Sequence, residues 1–284
     1  MQLEPSAADQ GQPAAGSELV ERHALSTRIW HWINALAVFV MLMSGLMIFN
    51  AHPRLYWGQY GANSDPAWLE IGSARDRGYL RVGSVRITTT GFLGYRTAAN
   101  GTVNRRAFPG WMTIPSNYSL SAGRRWHFAF AWILVPAFLL YLIAILLNRH
   151  AVRGLTPRLG ELSPRHLWHE IRDHARLRFP TGQAALRYNT LQKLSYFAVI
   201  FILLPLIILT GLTMSPAMDA AWPWLLDLFG GRQSARSIHF ICAALIAGFI
   251  LVHLVMVMLA GPINEIRSMI TGRFRLPPER ESAA

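Results

Sequence analysis

Four long apolar runs alternate with polar stretches along the chain, at about 29–49, 126–147, 194–214 and 238–259. Each approaches the ~20 residues a helix needs to cross a hydrocarbon core of about 30 Å. None shows the period-two alternation of a barrel strand, so the backbone must satisfy itself within helices. The pattern predicts an all-α integral membrane protein, a four-transmembrane-helix bundle with a periplasmic cap inserted between helices 1 and 2. The divisions are a disordered cytoplasmic tail (1–22), helix 1 (23–50), the cap (51–123), helix 2 (124–148) and a basic cytoplasmic loop with an amphipathic helix (149–190). Helix 3 (191–215), a short periplasmic connection (216–235), helix 4 (236–261) and a basic cytoplasmic tail (262–284) complete the chain.

The connections carry weaker patterns. Ser26 or Thr27 caps the first helix, and His52-Pro53 closes it because proline cannot continue a helix. Residues 81–90 alternate only enough for a short hairpin. Within 163–179, Leu167, Trp168 and Ile171 among arginines and histidines predict an amphipathic helix on an anionic inner leaflet. Residues 221–229 read as a short interfacial helix on the outer side.

Charge sets the orientation. The chain carries a net +12, and its distribution excludes a nucleic-acid reading. The second connection holds Arg149, Arg153, Arg158, Arg165, Arg172, Arg176, Arg178, Arg187 and Lys193, and the tail adds Arg267, Arg273, Arg275 and Arg280. The positive-inside bias then places both termini and the second connection in the cytoplasm of a bacterial inner membrane. The 51–123 segment is also arginine-rich, but it is long enough to translocate regardless of charge. The first eighteen residues lack a basic-then-apolar leader pattern, so the first span serves as its own insertion signal. Cys242 is the single cysteine, which excludes a disulfide framework, covalent haem attachment and a thiolate iron–sulfur set.

Histidine is costly in lipid and is retained there mainly for function. His239 and His253 stand fourteen positions apart in one span. A helix drifts about 20° per heptad, so both imidazoles share a face, roughly 21 Å apart along the axis. With the charge-derived topology, His31 and His253 fall near the inner surface, and His127 and His239 near the outer. Taken singly, His31 and His127 read as interfacial anchors, and His239 and His253 as hydrogen-bonded core histidines or a proton relay. Taken as two pairs at matched depths, they favour bis-histidine ligation of two b-type haems. Gly45, at 31 + 14, faces as His31 does but at the depth of the outer pair, where a missing side chain admits a flat macrocycle; ordinary close helix packing explains it equally. Arg124, Arg125 and Arg236 flank the outer pair and offer charge-assisted partners for haem propionates, or plain interfacial anchors. His52 lies just outside the apolar run. His166 and His169, with Glu170 and Asp173, have metal-like spacing but read better as a solvated basic face.

Three stretches carry a resemblance: Arg28-Ile29-Trp30-His31-Trp32, Gly123-Arg124-Arg125-Trp126-His127-Phe128, and Tyr188-Asn189-Thr190-Leu191-Gln192-Lys193. With the fourteen-residue histidine pair, they resemble the di-haem cytochrome b subunits of formate dehydrogenases, nickel–iron hydrogenases and thiosulfate reductases. Around His52–Gly58 and Trp111–Ser116 the chain is most similar to the thiosulfate-reductase-type branch. The resemblance implies a quinone site at the inner surface, lined by Asn189 and Lys193 beside His253, with Gln192 adjacent. It also implies a periplasmic molybdopterin oxidoreductase as partner. From the residues alone, Asn189 brings an amide donor and Lys193 a cation suited to a quinone carbonyl, or a snorkelling anchor.

The sequence therefore predicts a di-haem b-type cytochrome passing electrons between the quinone pool and a periplasmic redox partner on the cap. No nucleophile–base pair or carboxylate couple predicts catalysis of its own. Three other readings stay open. One is a stand-alone oxidoreductase passing electrons from a small periplasmic species such as superoxide to quinone. The others are a haem-free membrane anchor and a proton or solute transporter.

Overall fold

The computed structural model describes residues 19–147, 156–157, 159–176 and 188–276. The first eighteen residues of the expected tail, most of the loop from 148 to 187 and the last eight residues lie outside them. The described chain divides into two compact units. One comprises residues 30–153 and 195–252, the other residues up to 29, 154–194 and 253 onward.

Four helices are long and apolar enough to cross a membrane: Leu25–Phe49, Leu120–Leu147, Thr190–Thr213 and Arg232–Ala260. The expected apolar runs fall within them, apart from Met214, which caps the end of the third. Two helices begin well before their apolar runs, at Leu120 and Arg232, because polar residues in a first turn cost nothing where the helix end meets water. We label Leu25–Phe49 α1, Leu120–Leu147 α2, and the amphipathic helix Pro164–Ala175 α3. The third span is α4 (Thr190–Ala198), a π-turn (Val199–Leu203) and α5 (Leu204–Thr213). The widened turn ends just before Pro205, whose ring and missing N–H disrupt regular i→i−4 pairing. Two short helices, α6 (Pro216–Ala221) and α7 (Pro223–Leu228), precede α8 (Arg232–Ala260), and α9 (Pro262–Thr271) follows it.

In the larger unit the insert between α1 and α2 departs from the all-α expectation. It forms a four-stranded antiparallel meander, β2 (Arg54–Leu55), β3 (Leu69–Ala74), β4 (Arg77–Val82) and β5 (Val85–Thr88), ordered β2-β3-β4-β5. A further pair, β6 (Arg96–Thr97) with β7 (Val103–Asn104), lies beyond it. The single expected hairpin is the β4–β5 arm of this sheet. One side of the sheet buries Leu55, Leu69 and Ile71 with Phe49, Ala107 and Phe108, and Phe240 of α8 packs on that cluster. Phe49 stacks on Phe240 at 4.7 Å and meets Phe108 edge-on at 5.7 Å. Asn50 binds the backbone of Phe108 in both directions, its amide donating to the carbonyl at 3.0 Å and its oxygen accepting the N–H at 2.7 Å. Buried Glu70 accepts from Arg54, Arg81 and Tyr79 at 2.7–3.2 Å.

The insert is also fastened to the start of α8. Gln233 and Ser234 donate their otherwise orphaned N–H groups to the Gly58 carbonyl, and the Gly58 N–H returns a bond to Ser234 Oγ at 2.7 Å. Trp68 Nε1 donates to Ser237 Oγ at 2.9 Å, and that hydroxyl donates to the Tyr56 carbonyl at 2.5 Å. Gly231 (φ 110°) is required here, since a Cβ would lie 2.7 Å from the Gly58 carbonyl.

In the smaller unit, Leu19–Glu21 (β1) pairs antiparallel with Arg273–Arg275 (β8), which corrects the expectation of a disordered tail through residue 22. Arg22 pairs with Glu265 at 3.1 Å and covers the Phe274 ring. Glu170 of α3 caps the third span from outside, accepting both N–H groups of Thr190 and Leu191 at 3.1 and 3.0 Å.

Candidate functional site

Within the larger unit two of the four predicted ligands come together. The His127 ring of α2 and the His239 ring of α8 stand 6.3 Å apart between centroids, their planes 57° apart. Spans one and three, which carry neither ligand, orient the two rings. The Met41 carbonyl faces His127 Nδ1 at 3.1 Å and Ser44 Oγ lies 3.2 Å from it. A carbonyl only accepts, so Nδ1 of His127 carries the proton and Nε2 presents its lone pair. His239 is held in the same way. Thr210 donates its hydroxyl to the Leu206 carbonyl at 2.7 Å, which leaves its oxygen to accept from His239 Nδ1 at 3.1 Å. Ser44 likewise donates to the Val40 carbonyl at 2.7 Å. Both hydroxyl residues are fully buried.

A glycine follows each hydroxyl. A Cβ at Gly45 would stand 3.5 Å from His127 Cε1, and one at Gly211 would stand 3.3 Å from His239 Cε1. Ser44-Gly45 and Thr210-Gly211 are thus matching cradles, one for each ring. Gly45, singled out in the sequence by its spacing from His31, meets the ring of His127. Met41, Ser44, Thr210 and Gly211 were missed in the sequence. The repeated hydroxyl–glycine dipeptide was the available signal, but span three has no ligand from which to count.

A metal–imidazole bond is about 2.0–2.1 Å, and a further ~1.1 Å reaches the ring centre, so two rings trans on one metal place their centroids roughly 6.3 Å apart. The observed separation matches that value. Among the described residues no three His, Cys, Asp or Glu side chains gather. A metal held by only these two imidazoles takes its remaining ligands from something other than the protein, as iron does in a macrocycle. The residues present fit a bis-histidine haem.

The other predicted residues are distributed as follows. Arg124 and Arg125 are exposed on the first turns of α2, Arg124 lying 5.7 Å from the Phe128 ring. Arg236 instead donates to the Arg54 and His52 carbonyls at 3.1 and 2.5 Å and lies over Phe49, so its guanidinium clamps the insert to α8. His31 is half-buried and edge-on to Trp32 at 5.2 Å, and His253 is half-buried on α8. They belong to different compact units. Asn189 and Gln192 form a reciprocal capping box, Gln192 N–H to Asn189 Oδ1 at 2.8 Å and Asn189 N–H to Gln192 Oε1 at 3.2 Å. Lys193 contacts both carboxylate oxygens of Glu161 at 2.9 Å. His166 lies 3.1 Å from Thr190 Oγ1 and 3.2 Å from Glu170, and His169 pairs with Asp173 at 3.1 Å, as a surface network rather than a metal set. Outside the spans, burial pushes the His52 imidazole below its ordinary value, assisted by Arg236 and Arg54.

The family model described as prokaryotic cytochrome b561 matches residues 22–272, nearly all of the described chain. The chain belongs to the prokaryotic cytochrome b561 family. That membership makes it a multi-pass bacterial membrane electron-transfer protein that binds b-type haem. A curated relative is the putative protein-methionine-sulfoxide reductase subunit YedZ1 of Azospira oryzae, 25% identical over 243 residues, covering 85% of this chain and 92% of that protein. No solved structure matches.

Proposed function

We propose that this chain is a di-haem cytochrome b that carries electrons between the membrane quinone pool and a redox partner outside the inner membrane, docked on the 51–123 insert. The observation that carries it is the 6.3 Å separation of His127 and His239, the spacing of two axial imidazoles, with both Nδ1 protons committed elsewhere. Bound there, b-type haem supplies a one-electron couple. His31 and His253 are proposed as ligands of a second haem, on the fourteen-residue spacing within each span. The chain's own work is to fix the ring tautomers, exclude water from the ligands and supply cations at the rim. Arg124 and Arg125 are the proposed propionate partners, since Arg236 is engaged by backbone carbonyls.

The proposed quinone site is at the cytoplasmic end of span three. There the Asn189 amide is oriented by its capping box and the Lys193 ammonium is held by Glu161. A periplasmic molybdopterin oxidoreductase of the thiosulfate-reductase type is the proposed partner class, and the likeness to a putative reductase subunit supports a subunit role.

Reduced-minus-oxidised spectra and the haem-to-protein ratio of purified protein test the reading. Wild type should hold two b-type haems, His127→Ala and His253→Ala one each, losing different haems. A wild type with one haem, or the same haem lost in both variants, would sink the two-pair assignment.

A further inference from the structure

Ser44 and Thr210 are buried hydroxyls in an apolar bundle, and each is aimed at the nitrogen opposite a ligand's metal-binding lone pair. A hydroxyl in a membrane helix satisfies itself by donating to the carbonyl four residues back, as both do here at 2.7 Å. That bond explains the side chain's own comfort. It does not explain why the oxygens of both residues, on different spans, also face an imidazole Nδ1. Donation to the carbonyl polarises the hydroxyl, and its oxygen becomes a better acceptor for the Nδ1–H.

We propose that Ser44 and Thr210 are positioning residues that lower the redox potential of the haem held by His127 and His239, by drawing the Nδ1 proton of each ligand toward oxygen. The inference rests on reading those two histidines as the axial pair. The step is Fe(III) + e⁻ → Fe(II), with the Nδ1 proton staying on each ring throughout. A ring that shares its Nδ1 proton more strongly carries more negative charge at Nε2. That charge stabilises ferric iron more than ferrous, so each bond favours the oxidised state. The two sites are alike. Each ring has a carbonyl acceptor besides its hydroxyl, Met41 at 3.1 Å for His127 and Ile207 for His239, so each hydroxyl supplies part of its ring's acceptor set.

The test is a spectroscopic redox titration of purified holoprotein: wild type, Thr210→Val, Ser44→Ala and Thr210→Ser. Thr210→Val keeps the shape of the side chain and deletes the acceptor. We expect its ferrous-to-ferric ratio at fixed potential to rise about three- to tenfold for one haem, roughly 30–60 mV for a one-electron couple. Ser44→Ala should shift the same haem in the same direction by a comparable amount. Thr210→Ser should restore the wild-type potential, and the second haem should not move in any variant. If Thr210→Val fails to assemble, Ser44→Ala and Thr210→Ser still decide the matter, by a raised and an unchanged potential respectively. Two retained haems with unchanged potentials in Ser44→Ala and Thr210→Val would overturn the proposal while leaving the axial pair intact. A wild type in which His127→Ala and His239→Ala leave both haems in place would overturn the axial pair and this inference with it.

Discussion

At the scale of single residues, the ring cradles make a prediction about geometry. Rotated axial imidazoles leave the two iron orbitals that receive ligand π-density nearly degenerate. The 57° between His127 and His239 should therefore give a ferric low-spin EPR signal dominated by one large low-field g value. A Cβ at Gly211 would press on His239 at 3.3 Å, closer than ordinary contact, whereas one at Gly45 would meet His127 at an ordinary 3.5 Å. Gly211→Ala should thus move that low-field signal and Gly45→Ala should move it little. Equal spectra in wild type and Gly211→Ala would refute the cradle. Gly45 was legible in the sequence because His31, a proposed ligand fourteen residues away on its own helix, gives an origin for counting. Ser44, Thr210 and Gly211 were not, because their sequence describes only their own helix. The facing ring belongs to a neighbour that packing alone supplies.

At the scale of elements, the insert's sheet turns on one carboxylate. Burial alone would lift the Glu70 carboxyl, but hydrogen bonds from Arg81, Tyr79 and Arg54 outweigh it and hold the group below its ordinary 4.5. A carboxyl whose folded pKa lies below its unfolded value adds stability that is fully present above 4.5. That stability is lost as pH falls through the lower folded value. Below pH 4.5 the strands β2, β3 and β4 should loosen first. Tryptophan fluorescence of Trp57 and Trp68 would report it, since their rings stack at 5.7 Å. Glu70→Gln should remove most of that acid transition and weaken the sheet at neutral pH, because two half-buried arginines lose their counter-ion. An acid transition of the same midpoint and amplitude in Glu70→Gln would count against this role. The sequence disclosed little of this sheet. A strand is recognised by one apolar and one polar face, and β3 buries Leu69, Glu70 and Ile71 in succession while all four residues of β5 are exposed. The spans, by contrast, were legible because a hydrocarbon environment permits little but an apolar helix.

At the scale of the whole molecule, the insert concentrates charge on the proposed partner-facing side. Residues 51–123 hold eight arginines against three acidic residues, a net of +5, and Glu70 is consumed internally. Arg86, Arg105 and Arg106 lie over Tyr79, Tyr95 and Tyr118 at 3.7, 5.4 and 5.4 Å, with no carboxylate in ion-pair range among the described residues. Arg86 also stands directly across from Arg81 in the β4–β5 pairing, a like-charge arrangement that costs stability. A cationic face this exposed steers anions by long-range attraction that salt screens over about 8–10 Å. Oxidation of the reduced protein by ferricyanide should therefore slow several-fold between low and physiological ionic strength, while oxidation by a cationic cobalt(III) ammine should quicken. Reversing Arg86, Arg105 and Arg106 to glutamate should remove most of the ferricyanide trend without changing the haem-to-protein ratio. If the triple variant keeps the wild-type salt dependence, the field that steers anions arises elsewhere on the protein, and the insert loses its claim as the face where an acidic redox partner lands.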